Sequence, residues 1–151
     1  MADVVSKEVR SRMMSGIRSK DTKPELMLRR GLHARGFRFR LHQSDLPGKP
    51  DIVLRKHHAV VFVHGCFWHG HGCSLFKWPS TKAEFWRGKI EGNRRRDQNH
   101  IDCLTKLGWR TAIVWECALR GKHQLGIGQT VDEVEAWLLS QRPTVEVSER
   151  V

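Results

Sequence analysis

The ten residues from His64 to Cys73 concentrate side chains that bind metal ions. The stretch reads HGCFWHGHGC, so three histidines, two cysteines and three glycines surround an adjacent aromatic pair, Phe67 and Trp68. Thiolates and imidazoles at these separations can enclose one tetrahedral ion, and zinc is the usual choice for such a set. Large aromatic side chains are normally buried, so a pair of them among polar ligands predicts that the rings stack on another molecule.

This stretch holds more candidate ligands than a four-coordinate ion needs. Cys66-x4-His71-x-Cys73 and Cys66-x2-His69-x3-Cys73 are both compatible spacings, and alternation along the chain does not choose between the two histidines. Cys117 is the best candidate for the fourth ligand, because it ends a predicted strand that can lie beside the strand preceding the stretch. Three thiolates and one imidazole leave no open position for a substrate, so the predicted site is structural.

A second set of residues suits magnesium chemistry. Asp51 opens one predicted apolar strand and His64 follows the next, so the two lie side by side if the strands form a hairpin. A carboxylate, the carbonyl of Val63 and a bound phosphate would suit Mg²⁺, which prefers oxygen ligands. Glu25 could add a contact, while His64 and His69 could activate water or protonate a leaving group. The alternative is that Asp51 is an ordinary turn residue and His64 only caps hydrogen bonds.

The composition indicates one basic domain with a polyanionic partner. The 151 residues carry 27 Lys and Arg against 16 Asp and Glu, a formal net charge of +11, which is typical of nucleic-acid-binding domains. No apolar run could span a bilayer, and the N-terminus lacks the apolar stretch of a signal peptide. We therefore expect a cytoplasmic protein without a membrane partner, whose cysteines are thiols or metal ligands rather than disulfides.

Predicted helices and strands alternate in an order that indicates a three-layer α/β domain with a mixed sheet. Two capping boxes, at Thr22–Glu25 and Thr81–Glu84, open helices. The full prediction is a basic arm (1–21), a helix (22–36), three strands (37–42, 51–54 and 59–63), a helix (81–108), a strand (109–115), a helix capped at Thr130 and a loose tail (142–151). Cys103 lies within the long helix, where we expect it to be buried.

Aromatic and basic side chains predict a nucleic-acid interface. Phe67, Trp68 and Trp86 are large enough to wedge between base pairs, at a cost of about a few kcal/mol per step that is lowest where pairing is poor. The basic side chains that could hold flanking phosphates are Lys82, Arg87, Lys89, Arg94, Arg95 and Arg96. Two alternatives stay open, because Trp86 could be a core residue and the arginine triplet an ordinary solvated face.

Six segments resemble the very short patch repair endonucleases, bacterial enzymes that nick DNA at T:G mismatches. They read MMSGIRSKDT, LPGKPDIVL, VFVHGCFWHGHGC, LFKWPSTKAEFW, RRDQNHIDCLTKLGWR and IVWECALRG, and they cover roughly residues 11–121. The resemblance implies a fold like that of the type II restriction endonucleases. It also implies hydrolysis of the phosphodiester 5′ to the mispaired thymine, which starts very short patch repair of deaminated 5-methylcytosine.

The resemblance further implies roles for individual residues. Asp51 would bind magnesium with the carbonyl of Val63, and His69 would be the general base, oriented by Asp97. The predicted catalytic set is Asp51, His64, His69, Asp97 and Glu25. The resemblance selects Cys66, His71, Cys73 and Cys117 as the zinc ligands. The intercalating wedge would be Phe67, Trp68 and Trp86, and the residues near the mismatch would be Met14, Lys89 and Asn93.

Two positions depart from the pattern of the family's well-known member. Val63 replaces a threonine, which matters only if the hydroxyl rather than the backbone carbonyl binds the cation. Gly70 replaces a histidine that is not a matched ligand. Nothing carries over beyond residue 121.

The expected partner is double-stranded DNA with a T:G mismatch, and other mismatch-repair proteins are further candidates. The family suggests a monomer that works in the bacterial cytoplasm, associated with the nucleoid. The predicted domains of this chain are an arm (1–21), an endonuclease domain (22–141) and a flexible tail (142–151). Two rival hypotheses are a zinc-containing DNA-binding module without catalysis and a restriction-type endonuclease that cuts matched sites.

Overall fold

A computed structural model describes residues 21–150, so Met14 and nearly all of the predicted basic arm lie outside the described residues. The helices are α1 (Lys23–Ala34), α2 (Ala83–Lys106) and α3 (Ile127–Leu138). The strands are β1 (Arg40–Leu41), β2 (Ile52–Leu54), β3 (Ala59–His64), β4 (Arg110–Trp115) and β5 (Thr144–Val147). Short 3₁₀ turns follow β2 and β4, at Arg55–His57 and Glu116–Ala118.

The five strands form one mixed sheet in the order β1-β2-β3-β4-β5. The first three strands pair antiparallel, whereas β3, β4 and β5 run parallel. The predicted hairpin is confirmed, and its short link closes because His58 adopts the left-handed conformation, with φ 51°. Parallel strands need a crossover, and α2 supplies it between β3 and β4.

Helices cover both faces of the sheet, which gives the three layers that the sequence predicts. On one face α1 packs against α3, and their apolar stripes bury Leu32 and Trp137 in the main core. On the other face Leu104 of α2 joins a smaller cluster with Val60 and Phe62. None of the helices within residues 21–150 is long and apolar enough to cross a membrane.

Helix α2 touches the sheet along a narrow stripe. Only Ile90 and Leu104 of its 24 residues are buried. Cys103 is therefore exposed, and the prediction that it is buried is wrong, because a helix with so narrow an apolar stripe turns the neighbouring position to solvent. Most of this helix is available to a partner.

The first predicted capping box is confirmed at its N-cap. The Thr22 hydroxyl accepts the N–H of Glu25 at 3.4 Å, and Thr22 has extended backbone angles, as an N-cap requires. In the usual capping box this carboxylate would accept the N–H of the N-cap residue. The Glu25 carboxylate instead accepts the N–H of Asp21, one residue earlier, at 2.8 Å. This shift brings a buried carboxylate to the edge of the candidate site.

Two other predicted helix starts are wrong. Helix α2 begins after Lys82, which has φ 53°, and no side chain caps it. Helix α3 begins after Gly126, whose φ of 88° suits glycine. The N–H of Thr130 therefore bonds to the Gly126 carbonyl at 3.1 Å, and the Thr130 side chain is buried inside the helix.

The chain after α3 turns back and adds an edge strand. Arg110 on β4 donates a hydrogen bond of 3.1 Å to the carbonyl of Trp137 near the end of α3. Strand β5 then pairs with β4, and Val147 is buried. The prediction of a loose tail over 142–151 is therefore wrong for β5, because a four-residue strand is too short for its alternation to be recognised.

Candidate active site and metal centre

The hairpin brings Asp51 beside the end of β3. Asp51 immediately precedes β2, and Ile52 lies opposite Val61, so the Asp51 carboxylate reaches the backbone of Val63 and accepts its N–H at 2.7 Å. The side chain is buried. Burial raises the pKa of Asp51 to about 7; the Val63 hydrogen bond opposes this rise and the negative Glu25 nearby adds to it. No cationic side chain among residues 21–150 forms an ion pair with Asp51, and a buried carboxylate of this kind suits a metal ligand.

Glu25 lies close to Asp51 and is held by a network that the sequence did not predict. Its carboxylate is only 1% exposed and pairs with the ring of His42. Arg29 on the next turn of α1 lies 3.4 Å from Glu25 and 2.8 Å from Asp21. His42 adopts a left-handed backbone, φ 48°, just after β1. No local pattern marks this histidine, since only the fold brings it to α1.

His64 and His69 stack face to face. Their ring centroids are 3.8 Å apart and the planes are within 3°. His69 Nδ1 lies 2.5 Å from Asp97 Oδ2 on α2. An ionised carboxylate only accepts, so this contact puts the proton on Nδ1 and leaves Nε2 of a neutral His69 as an acceptor. The structure therefore brings together the two imidazoles that the sequence analysis singled out and the carboxylate that the resemblance implied as their orienting partner.

His64 is the more buried of the two imidazoles. Its Nδ1 has no hydrogen-bond partner among residues 21–150. Burial, followed by repulsion from His69, lowers the pKa of His64 to about 3, while Asp97 opposes the change. His64 is thus neutral at neutral pH, which favours a role as a neutral hydrogen-bonding or packing group over that of a proton donor to a leaving group.

One cavity of about 1080 Å³ joins these groups to the predicted DNA-contacting residues. It is lined by the acid and imidazole groups Asp51, His64, His69 and Asp97, by the aromatic residues Phe67 and Trp68, by Asn93, and by the basic residues Lys23, Lys49, Lys89, Arg96 and Arg120. The cavity is large enough for part of a nucleic-acid strand. Its five basic side chains face four acids, because Asp21 and Glu116 also line it, so the lining has a small excess of positive charge.

The four predicted thiol and imidazole ligands converge beside this cavity. Donor atoms of Cys66, His71, Cys73 and Cys117 all lie within 4.8 Å of one another. The His71 Nδ1 atom is 3.6 Å from the sulfur atoms of both Cys66 and Cys117. His69 points instead to Asp97, so the geometry selects the set that contains His71.

Parallel pairing explains how distant cysteines meet. His64 at the end of β3 lies opposite Trp115 at the end of β4, and Cys66 and Cys117 each follow two residues later. His71 then stacks on the Trp115 ring, with centroids 4.1 Å apart.

The donor set fits a metal ion. Burial raises the pKa of the Cys66 thiol and raises that of Cys117 to about 11; it lowers the pKa of His71, which keeps the imidazole neutral. Three thiols packed around one imidazole satisfy few hydrogen bonds, whereas a divalent ion would take thiolates and a neutral imidazole directly.

Further residues hold this centre from outside, and the sequence analysis missed them. Glu149, beyond β5, donates its N–H to the Cys117 sulfur at 3.3 Å and accepts the N–H of Ser74 at 2.9 Å. Glu116 accepts the N–H of Cys66 at 3.2 Å. These contacts come from chain segments far from His64–Cys73, so the spacing of residues in the sequence does not predict them.

The three wedge residues form one ring cluster. Phe67 lies 5.3 Å from Trp68 and 5.4 Å from Trp86 between ring centroids, and the two tryptophans are 5.8 Å apart. All three are partly exposed, so Trp86 is not a core residue. Asn93 on α2 donates to the Trp68 carbonyl at 2.8 Å, which ties the loop to the helix.

The arginine triplet on α2 has divided roles. Arg94 donates to the carbonyl of Gly70 at 2.5 Å and so supports the metal-binding loop. Arg96 lines the cavity, where a phosphate can reach it. Arg95 is exposed.

Comparison with known proteins agrees with this chemistry and confirms the resemblance. A family model described as DNA mismatch endonuclease Vsr matches residues 2–75. The DNA mismatch endonuclease Vsr of Escherichia coli is 44% identical over 147 residues, which cover 97% of this chain and 94% of that protein. The type II nicking enzyme V.XorIIP of Xanthomonas oryzae is 51% identical over 119 residues, 79% of this chain and 88% of that one. The chain therefore belongs to the Vsr family of DNA mismatch endonucleases and is a DNA-cleaving hydrolase.

Proposed function

We propose that this protein nicks double-stranded DNA 5′ to the thymine of a T:G mismatch and so starts very short patch repair. One observation carries the proposal: the buried Asp51, the His64–His69–Asp97 group and the aromatic loop open into a single basic cavity. A noncatalytic zinc module would need neither the buried carboxylate nor the oriented imidazole. The proposed fold is that of the type II restriction endonucleases, and the endonuclease domain, predicted as residues 22–141, extends through β5.

The proposed chemistry is a magnesium-assisted hydrolysis. Asp51 and the backbone carbonyl of Val63 would hold Mg²⁺, which supplies charge stabilisation at the scissile phosphate when bound. The Val63 side chain would not matter for this contact. His69, oriented by Asp97, accepts a proton from the attacking water at Nε2. Neutral His64 holds the stacked ring of His69 in place, and Glu25 keeps negative charge beside Asp51.

A structural Zn²⁺ at Cys66, His71, Cys73 and Cys117 would fasten the aromatic loop. All four ligands come from the protein, so no position stays open for a substrate. The ion would therefore rigidify the loop instead of taking part in hydrolysis.

Mismatch recognition is assigned to the ring cluster. Phe67, Trp68 and Trp86 would enter the duplex where the wobble pair stacks poorly, at a cost of about a few kcal/mol per step. Lys89 and Asn93 would contact the opened region. Met14, which lies outside the described residues, is proposed to contribute near the mismatch as part of a basic arm over residues 1–21.

The proposed setting is the bacterial cytoplasm, with the enzyme acting as a monomer on nucleoid DNA. T:G duplex DNA is the substrate, and other mismatch-repair proteins are proposed as partners.

A nicking assay tests the proposal. We expect strand cleavage of a T:G duplex, little of its T:A control, and none when magnesium is withheld. Asp51→Asn should abolish nicking yet retain T:G binding, whereas Asp45→Asn, at an exposed carboxylate, should nick normally. Equal cutting of both duplexes would support a matched-site endonuclease, and full activity of Asp51→Asn would reject the active site.

A further inference from the structure

The aromatic surface extends beyond the three wedge residues. Phe76 lies 6.0 Å from Phe67 between ring centroids, and Trp78 meets Phe76 edge to face at 4.9 Å. Arg87 on α2 places its guanidinium carbon 5.4 Å from the centre of the Trp78 ring. We call Phe76, Trp78 and Arg87 the outer platform. It is continuous with the wedge but contains none of the wedge residues.

The exposure of Trp78 indicates that its ring belongs to a binding surface. Its ring is 45% exposed, and Phe85, beside Trp86, is 61% exposed. Among residues 21–150 the other exposed large apolar side chains, Leu107 and Leu139, directly follow helix ends. The two rings belong to one connected aromatic cluster, and exposed rings in such a cluster are typical of a binding surface.

The charge around the platform identifies the class of ligand. Residues 76–89 carry four basic side chains, Lys77, Lys82, Arg87 and Lys89, against the single acid Glu84, a local charge of +3. Arg87 rests on the Trp78 ring, so its planar donors are held in place for a phosphate at little further entropic cost. A surface of exposed rings and fixed cations matches nucleic acid better than an apolar peptide.

We propose that the outer platform is a second DNA contact of this enzyme, in which Trp78 packs on a nucleotide flanking the mismatch and Arg87 binds an adjacent phosphate. The proposal rests on the proposed function, because the wedge must first enter the duplex. Ring separations of 6.0 and 4.9 Å connect Phe67 to Trp78 through Phe76. A strand advances about 3.4 Å per nucleotide, so Trp78 serves a nucleotide outside the step that the wedge opens.

This second contact would extend the footprint of the enzyme to one side of the mismatch. Stacking tolerates every base but favours those with large surfaces. The platform therefore adds affinity and a preference for a purine at the flanking position, both independent of the hydrolytic groups.

Binding measurements on the full chain test the platform. Asp51→Asn is used with magnesium withheld, so that the DNA stays intact, and 2-aminopurine is placed in turn at the mismatch step and at each flanking nucleotide. Trp78→Ala should weaken binding of the T:G duplex about tenfold, within the range for loss of one stacked base. It should remove the fluorescence change at one flanking nucleotide and leave the change at the mismatch step. Trp78→Phe should restore part of both signals.

Matched controls separate the platform from general effects. Leu139→Ala removes an apolar side chain just after α3 that is more exposed than Trp78, at 69% against 45%, and should bind as before. Arg87→Ala should reduce the slope of log affinity against log salt by about 1, whereas Arg30→Ala on the exposed part of α1 should not. Zinc content and thermal stability of each variant report whether the fold is intact.

Two results would be distinguishable failures. If the parent protein binds T:G and T:A duplexes equally and no 2-aminopurine responds at the mismatch, the proposed function fails. If the parent protein prefers T:G but folded Trp78→Ala binds within twofold of it with every flanking signal unchanged, only the platform is overturned.

Discussion

At the residue scale, burial sets the charge of the candidate catalytic groups. The pKa of Asp51 is raised and that of His64 is lowered, and in both cases removal from water is the largest cause. His69 differs because it keeps a carboxylate partner, Asp97, and remains partly exposed to the cavity. The environments of the three side chains therefore differ: burial favours the protonated form of Asp51, burial keeps His64 neutral, and Asp97 orients the ring of His69.

Asp51 gives a prediction about pH. Its folded-state pKa of about 7 lies above the ordinary value of 3.8, so folding favours the protonated form, and stability falls as pH rises from about 4 to about 7. With magnesium withheld, Asp51→Asn should be more stable than the parent at pH 8 by a few kcal/mol. The shift in the pKa of Asp51 sets the upper limit of this gain at roughly 4 kcal/mol. The gain should vanish at pH 4.

Urea unfolding at several pH values measures this difference. Magnesium should stabilise the parent more at pH 8 than at pH 6, since the cation needs the ionised carboxylate, and it should not stabilise Asp51→Asn. A stability difference that does not change with pH would contradict the assignment.

At the element scale, the parallel pair β3–β4 builds both halves of the site. Its carboxyl ends deliver His64 and Cys66 from one strand and Cys117 from the other. Helix α2 crosses behind the loop and supports it through Asn93 and Arg94. The chain beyond β5 then closes the metal centre through Glu149. The candidate active site and the candidate metal centre thus share one scaffold.

The position of Glu149 predicts an effect on metal retention. Glu149→Ala removes the acceptor for Ser74, next to the ligand Cys73, and should weaken zinc binding about tenfold, as loss of an outer contact of a metal site commonly does. Zinc release to a chromogenic chelator and thermal melting measure the change. Glu133→Ala on α3 is the control, and equal release from both variants would rule out the supporting role.

At the scale of the whole molecule, charge and shape act together. The net charge of +11 attracts any polyanion, but the cavity concentrates five basic side chains at the candidate active site: Lys23, Lys49, Lys89, Arg96 and Arg120. Attraction of this kind positions the duplex without reading its sequence. Mismatch preference must then come from the rings and the residues beside them.

The charged cavity predicts a steep salt dependence. Arg120 is paired with Glu116 at 2.6 Å, so if the other four lining cations each neutralise one phosphate, log affinity should fall with log salt at a slope of about −3.6, which is roughly a 150-fold loss between 50 and 200 mM. Fluorescence anisotropy on T:G and T:A duplexes measures it, and both should share the slope because their backbones are identical. A slope near zero would show that phosphates contribute little.

Sequence patterns predicted the elements with long, clear periodicity. The hairpin of β2 and β3, helices α1 and α2, and strand β4 all appear close to the predicted places. Predictions failed where the signal was local and short. Thr81 and Thr130 have capping residue types but not capping positions, and β5 is a strand because it pairs with β4, not because of its own four residues.

The sequence alone determined the chemistry available to this protein, since residue types and spacings identified the thiols, imidazoles, Asp51 and the aromatic pair. Only the tertiary structure decided how that chemistry is divided. His69 faces Asp97 while His71 faces the cysteines, and His42 and Glu149 join from distant segments. Spacing along a chain limits which side chains can meet, but strand register and helix crossing, driven by burial of the core, determine which ones do.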